Sequence, residues 1–205
     1  MTDQNPNVRL ETFCDGVFAI ALTLLIIDIK IPADENIHTT NDLWLALKHL
    51  MPAVFAFLLS FVIIFITWVN HHGIFKLIHT SSPAFIYANG YLLLMIVVLP
   101  FPTALLSEHL FTEHAAPAVV LYAAINGLLA LGWIFLGHAA LNHDPLGKNE
   151  KSTLTLRAGR QNGYFALIIY SLLAMMAFWF PQIVAFLLGV IWLGWLVYGI
   201  KIKSE

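Results

Sequence analysis

The chain has 205 residues, 60% of them hydrophobic and only 11% charged, with a mean hydropathy of +0.80. Soluble domains carry about twice that charged fraction, so a soluble globule is excluded and an all-α integral membrane protein is indicated. The formal charge of −2 excludes little, but a single cysteine, Cys14, leaves no intrachain disulfide and no cysteine metal cluster.

Met1 to Val8 reads as a polar tail, and the apolar run behind it is too long for a cleavable leader. Arg9 to Pro32 is the stretch around which the rest is organised. It opens on Arg9, Glu11 and Asp15, runs apolar from Gly16 to Ile27, and closes on Asp28, Lys30 and Pro32. About 20 apolar residues cross a bilayer, which places a first span at about 12–30. An acidic loop follows (33–42), then an interfacial stretch (43–50) and a second span at 53–72 with Pro52 in its first turn. Phe75 to Pro83 reads as a linker, and a third span at 84–106 is broken near its end by Pro100 and Pro102.

The fourth span, 117–141, carries Gly127, Gly132 and Gly137, which permit close helix approach. A polar loop with Lys148, Lys151, Arg157 and Arg160, whose Ser152–Arg160 part is open to a helical start, leads to a fifth span at 160–180 and a sixth at 182–200. Six spans in one domain, 1–205, with no internal repeat, is the expectation. So short a chain has little room to enclose a pore alone, so conduction would require several copies around an axis.

Placing the N-terminus inside puts Arg9, Lys76, Lys148, Lys151, Arg157, Arg160, Lys201 and Lys203 inside, against Lys30 and Lys48 outside. The positive-inside rule then predicts cytoplasmic termini. Asp28, Asp34, Glu35, Asp42, Glu108 and Glu113 gather outside. They either form a negative outer mouth that concentrates cations or are simply solvated loop acids.

At about 100° per residue, Ile20, Thr23, Leu24 and Ile27 share one stripe of the first helix. Around an axis they would form apolar rings that gate by dewetting and a hydroxyl ring that replaces part of an ion's hydration shell. In an ordinary bundle the same stripe would pack, with Thr23 bonding its own backbone. Asp15 needs a partner, because an ionisable group in a spanning helix faces protein or water. The inner end of the second span supplies Trp68, Asn70, His71 and His72, whose N–H groups suit a carboxylate. His138 with His143 completes no zinc set, and His109 with His114 in an outer loop either tune a response to pH or are simply solvated. No catalytic triad, nucleotide-binding glycine loop or HExxH motif is present, so nothing supports an enzyme or a cofactor.

The run from Arg9 through Phe13-Cys14-Asp15-Gly16-Val17-Phe18-Ala19-Ile20-Ala21 to Thr23-Leu24-Leu25 resembles a known signature. It is the R-x-x-x-F-S-D and G-V-F-A-I-A-x-T-L-L opening of prokaryotic relatives of the endolysosomal potassium channel, the transmembrane protein 175 family. Trp68 to His72, W-V-N-H-H, is similar to the family's second-span motif. The resemblance implies a homotetrameric, weakly potassium-selective cation channel in a prokaryotic plasma membrane. The first helix of each chain would line the pore, with no carbonyl filter. It assigns the constriction to Ile20, then Leu24 and Ile27, and selectivity to Thr23. Arg9, Phe13, Asp15, Trp68 and His72, with Cys14 and Asn70 beside them, become a structural hub, and Asp28 lies at the outer mouth. Cys14 stands where the motif has serine, and its weaker hydrogen bonding predicts a looser hub. The alternative is a secondary or proton-coupled transporter that uses Asp15 and His72 as a relay.

Overall fold

The computed structural model describes residues 6–30, 32, 37–142 and 146–202, the last five by backbone alone. Asp34, Glu35, His143 and Lys203, named above, lie outside the described residues. The elements are all helical: α1 (Val8–Leu24) with a 3-10 turn (Leu25–Asp28), α2 (Thr40–His49), α3 (Met51–Leu77), α4 (Pro83–Val98), α5 (Pro100–His109), α6 (Ala115–Leu141), α7 (Glu150–Met176) and α8 (Pro181–Ile202).

The starts follow local chemistry. In α2, Thr39 Oγ1 accepts from Asp42 N, while the Thr39 and His38 amides donate to Asp42 Oδ2 at 2.8 and 3.1 Å. The Thr39 side chain first, then these two amides, hold the Asp42 carboxyl below its ordinary value. A carboxyl lowered in the folded state stabilises above its unfolded pKa, about 3.9, and loses that contribution as pH falls through the folded value. Protection of the first-turn amides of α2, taken as their exchange rate relative to unstructured chain at the same pH, is therefore expected to hold at neutral pH and to fall only below about pH 4. Loss of protection already near pH 6 would contradict the capping box. In α3, Pro52 sits in the first turn, where a missing N–H costs least. Ser82 caps α4 and Asn149 caps α7 through their side-chain oxygens.

Pro100 and Pro102 separate α4 from α5 within one apolar stretch, Pro83–His109. Lacking N–H groups, they free carbonyls in the preceding turn, and Thr103 Oγ1 donates to Leu99 O at 2.8 Å across the break. Ser60 Oγ sits 2.7 Å from Thr103 Oγ1 and 2.9 Å from the Tyr122 hydroxyl, so α3, α5 and α6 meet in a buried polar cluster. α6 is the central helix, and its glycines carry the close approaches. A Cβ at Gly132 would lie 3.0 Å from Leu92, and one at Gly137 would lie 2.7 Å from Arg160 Cβ.

The count of spans needs correction. Among the described residues four segments, not six, are long and apolar enough to cross a membrane: Val8–Asp28, Met51–Leu77, Pro83–His109 and Ala115–Leu141. α7 begins at Glu150, earlier than 160, and its first half carries Lys151, Arg157 and Arg160, so its apolar run starts only near Gly163. The described apolar part of α8, Pro181–Val197, is a shorter helix. The second span also runs on to Leu77, which reduces the linker expected at 75–83 to a few residues. That linker pairs with the α6–α7 connection through an antiparallel bridge, Ile78 to Gly147. His79 N bonds Leu146 O at 3.0 Å and Lys148 N bonds Leu77 O at 2.9 Å.

Candidate functional site: the first helix and its hub

α1 has two unlike faces. The buried one, Cys14, Phe18, Ala21 and then Leu25, packs on α3 and α4. The other carries Ile20, Thr23, Leu24 and Ile27, and it stays exposed in the single chain, with Ile20 at 61% and Ile27 at 69%. The 3-10 turn keeps Ile27 in line with Leu24, because residues three apart eclipse in that helix. Thr23 Oγ1 donates to Ile20 O at 2.9 Å, which spends its proton and leaves its lone pairs available. Asp28 is half-buried at the end of the stripe, and just beyond it Lys30 meets Glu108 at 3.1 Å in an exposed pair.

At the other end, three contacts tie the base of α1 to α3 and α4. Trp68 Nε1 donates to Asp15 Oδ1 at 2.8 Å. Asn89 Nδ2 donates to Cys14 Sγ at 3.1 Å, and Asn89 Oδ1 lies 2.6 Å from His71 Nε2. Since the amide oxygen accepts, His71 donates from Nε2 and is the tautomer bare at Nδ1. Phe18 and Phe75 enclose that ring at centroid distances of 5.2 and 5.0 Å. Third, His72 Nδ1 lies 2.8 Å from Glu11 Oε1, an ion-pair distance without hydrogen-bond alignment, and its ring stacks on Trp68.

Of the expected hub residues, Cys14, Asp15, Trp68 and His72 are thus brought together. Arg9, Phe13 and Asn70 are exposed and make none of these contacts. Glu11 and Asn89 complete the network and were not singled out as bonded partners of α1, while His71, a candidate donor to Asp15, pairs with Asn89 instead. The signal for Asn89 was a lone amide deep in an apolar helix, which must find a partner when buried. Cys14 serves as an acceptor here, so its weak donor strength is not what the hub draws on. Asp15 and His72 have separate partners, and no ion pair joins them among the described residues.

Trp68→Phe is expected to destabilise the protein by about 1–3 kcal/mol, because it strands a carboxylate that had a donor. Thermal melts of Trp68→Phe, Asp15→Asn and the double variant test this. Additive losses would mean that the two side chains do not interact.

The family described as "Endosomal/lysosomal potassium channel TMEM175" matches residues 9–100, which contain every hub contact above. The crystal structure of a "lysosomal potassium-selective channel TMEM175 homolog" from Chamaesiphon minutus aligns with a TM-score of 0.85 and 33% identity. That alignment covers 96% of this chain and 99% of that one. The chain belongs to the TMEM175 family.

Among TMEM175 relatives, a potassium channel of Chamaesiphon minutus is 45% identical over 133 residues, 65% of this chain and 64% of the relative. A potassium channel of Streptomyces collinus is 38% identical over 130 residues, 63% of this chain and 62% of the relative. In both matches the chain spans less than two thirds of the relative's own length. TMEM175 is a family of ion channels, not of enzymes, and with its apolar helices this member is a multi-pass membrane protein.

Proposed function

We propose that four copies of this chain surround an axis lined by α1 and conduct potassium, with a modest preference over sodium and no carbonyl filter. The observation that carries this reading is the stripe of Ile20, Thr23, Leu24 and Ile27, left uncovered on a helix whose other face, Cys14, Phe18 and Ala21, packs into the bundle. The likeness to a potassium-selective homolog over nearly the whole chain supports it. Ile20 forms the narrowest ring, Leu24 and Ile27 the next ones outward, and these apolar collars set the barrier by excluding water. The Thr23 oxygen, its proton already committed to Ile20 O, offers lone pairs to a partly dehydrated cation. Asp28 at the outer end raises the local cation concentration, and the hub holds the base of each α1 at a fixed tilt.

The termini lie on the cytoplasmic side of a prokaryotic inner membrane, because Arg9, Lys76, Lys148, Lys151, Arg157 and Arg160 belong to the hub end of the bundle. The test is potassium uptake into liposomes holding purified protein, with sodium compared under the same gradient. Faster downhill potassium uptake is expected. Absence of flux for both ions, from protein shown to be folded and tetrameric, would overturn the reading. A carrier with an Asp15–His72 relay predicts instead saturable, pH-gradient-driven transport abolished by Asp15→Asn; the separate partners of those residues speak against it.

A further inference from the structure

α6 and α7 approach closely where Gly137 leaves room for the stem of Arg160, and there the two helices share a chain of hydrogen bonds. Arg160 Nη1 lies 3.4 Å from His138 Nδ1, and His138 Nε2 lies 2.7 Å from the Tyr164 hydroxyl. The first member fixes the direction of the chain. A guanidinium only donates, so His138 accepts at Nδ1. The neutral ring then carries its proton on Nε2 and donates it to the Tyr164 oxygen. The Tyr164 proton is left unspent, as are the guanidinium donors that His138 does not use.

This array of donors has no anion of its own: neither Arg157 nor Arg160 meets a carboxylate among the described residues. Arg157, Arg160, Tyr164 and Ile168 recur at three- and four-residue spacing and therefore share a face of α7. That face is open. Arg157 is exposed, Arg160 and His138 are half-buried, and Tyr164 is 45% exposed. On the same line Ile168, Leu172 and Met175 continue as an apolar track, each 59% exposed. The apolar run of α7 starts near Gly163, so Arg160 and Tyr164 straddle the boundary between headgroups and hydrocarbon.

We propose that this face binds an anionic phospholipid, its phosphate on Arg157, Arg160 and the Tyr164 hydroxyl and one acyl chain along Ile168, Leu172 and Met175. Basic clusters between spanning helices take such headgroups. A phosphate diester offers only acceptors, where this cluster offers only donors and positive charge. His138 stays off the phosphate. By occupying the Tyr164 oxygen it frees the phenolic proton for the headgroup, and by accepting from Arg160 it holds the guanidinium beside it.

The test is binding of radiolabelled phosphatidylglycerol to the immobilised protein in detergent, read by scintillation proximity, with phosphatidylcholine of the same chains in parallel. Phosphatidylglycerol is expected to bind about tenfold more tightly, because the choline cation would face two arginines. Arg160→Gln is expected to remove most of that preference and Arg160→Lys to keep part of it, retaining the charge without the fork. Tyr164→Phe is expected to weaken phosphatidylglycerol about tenfold, the loss of one hydrogen bond to a charged group. Inorganic phosphate in excess is expected to leave the lipid in place, since it has no chain to lay on the apolar track. Equal affinities for the two lipids, as a second copy of the chain covering this face would give, overturn the proposal. So does a phosphatidylglycerol affinity unchanged by Tyr164→Phe, or displacement by inorganic phosphate, which marks a site for a free anion. If Arg160→Gln fails to fold, Arg157→Gln, at an exposed residue, takes its place and is expected to lower the preference likewise.

Discussion

Replacing Ile20 with Asn is expected to raise cation flux through the proposed pore by about tenfold or more and to blur the difference between potassium and sodium. Tenfold in rate is about 1.4 kcal/mol of barrier, less than the roughly 1.5–3 kcal/mol that separates a buried from a hydrated Ile side chain. In a symmetric ring the substitution acts on every copy at once. Ile20 is exposed and sits on the face of α1 opposite Cys14, Phe18 and Ala21, so the change need not disturb the packing of the protomer. Liposome uptake measured for both ions, alongside a melting curve of each protein, checks the expectation. Unchanged flux from a normally folded variant would remove Ile20, and with it α1, as the pore wall.

Gly137→Ala is expected to destabilise the protein by about 2 kcal/mol, from an overpacking cost near the top of the 1–3 kcal/mol range less about 1 kcal/mol of helix propensity gained. The added Cβ would stand 2.7 Å from Arg160 Cβ and 3.3 Å from Arg160 Cα, so stem and backbone, not a flexible tip, must yield. Gly127→Ala on the same helix provides the control. There a Cβ would meet Tyr170 Cβ at an ordinary 3.7 Å, and the variant is expected to be neutral or stabilised by up to about 1 kcal/mol. Thermal unfolding in detergent distinguishes them by sign. Equal effects would mean that α6 and α7 do not approach as described.

The parts of this structure that could be read from sequence are those where one residue's chemistry admits few solutions. Pro100 and Pro102 had to break the third apolar stretch, and they do. Asp15 on a spanning helix had to find a donor, and the antiparallel neighbour offered Trp68. Gly132 and Gly137 marked close approaches that the packing uses. What escaped notice depends on tertiary placement. Glu11 looked like an ordinary charged first turn, yet it meets His72 from another helix. Ser60, Thr103 and Tyr122 are scattered over three helices and converge only in the fold. The early start of α7 was legible in part: the stretch 152–160 was open to a helical start, and Asn149 followed by Glu150 is a helix-opening pair that places it two residues earlier. Its polar first half does not register as a span. The exposed stripe on α1 is legible as a pattern, because its spacing follows the helical repeat.

The hub's contacts carry a consequence for biosynthesis. Glu11, Cys14, Asp15, Trp68, His71, His72 and Asn89 all precede residue 100, whereas the bridge between the loops waits for Gly147. Since a chain leaves the ribosome from its N-terminus, α1 can be locked against α3 and α4 while α6 to α8 are still being made. The pairing of the loops comes later and fastens the second half of the chain onto a first half that already holds its shape.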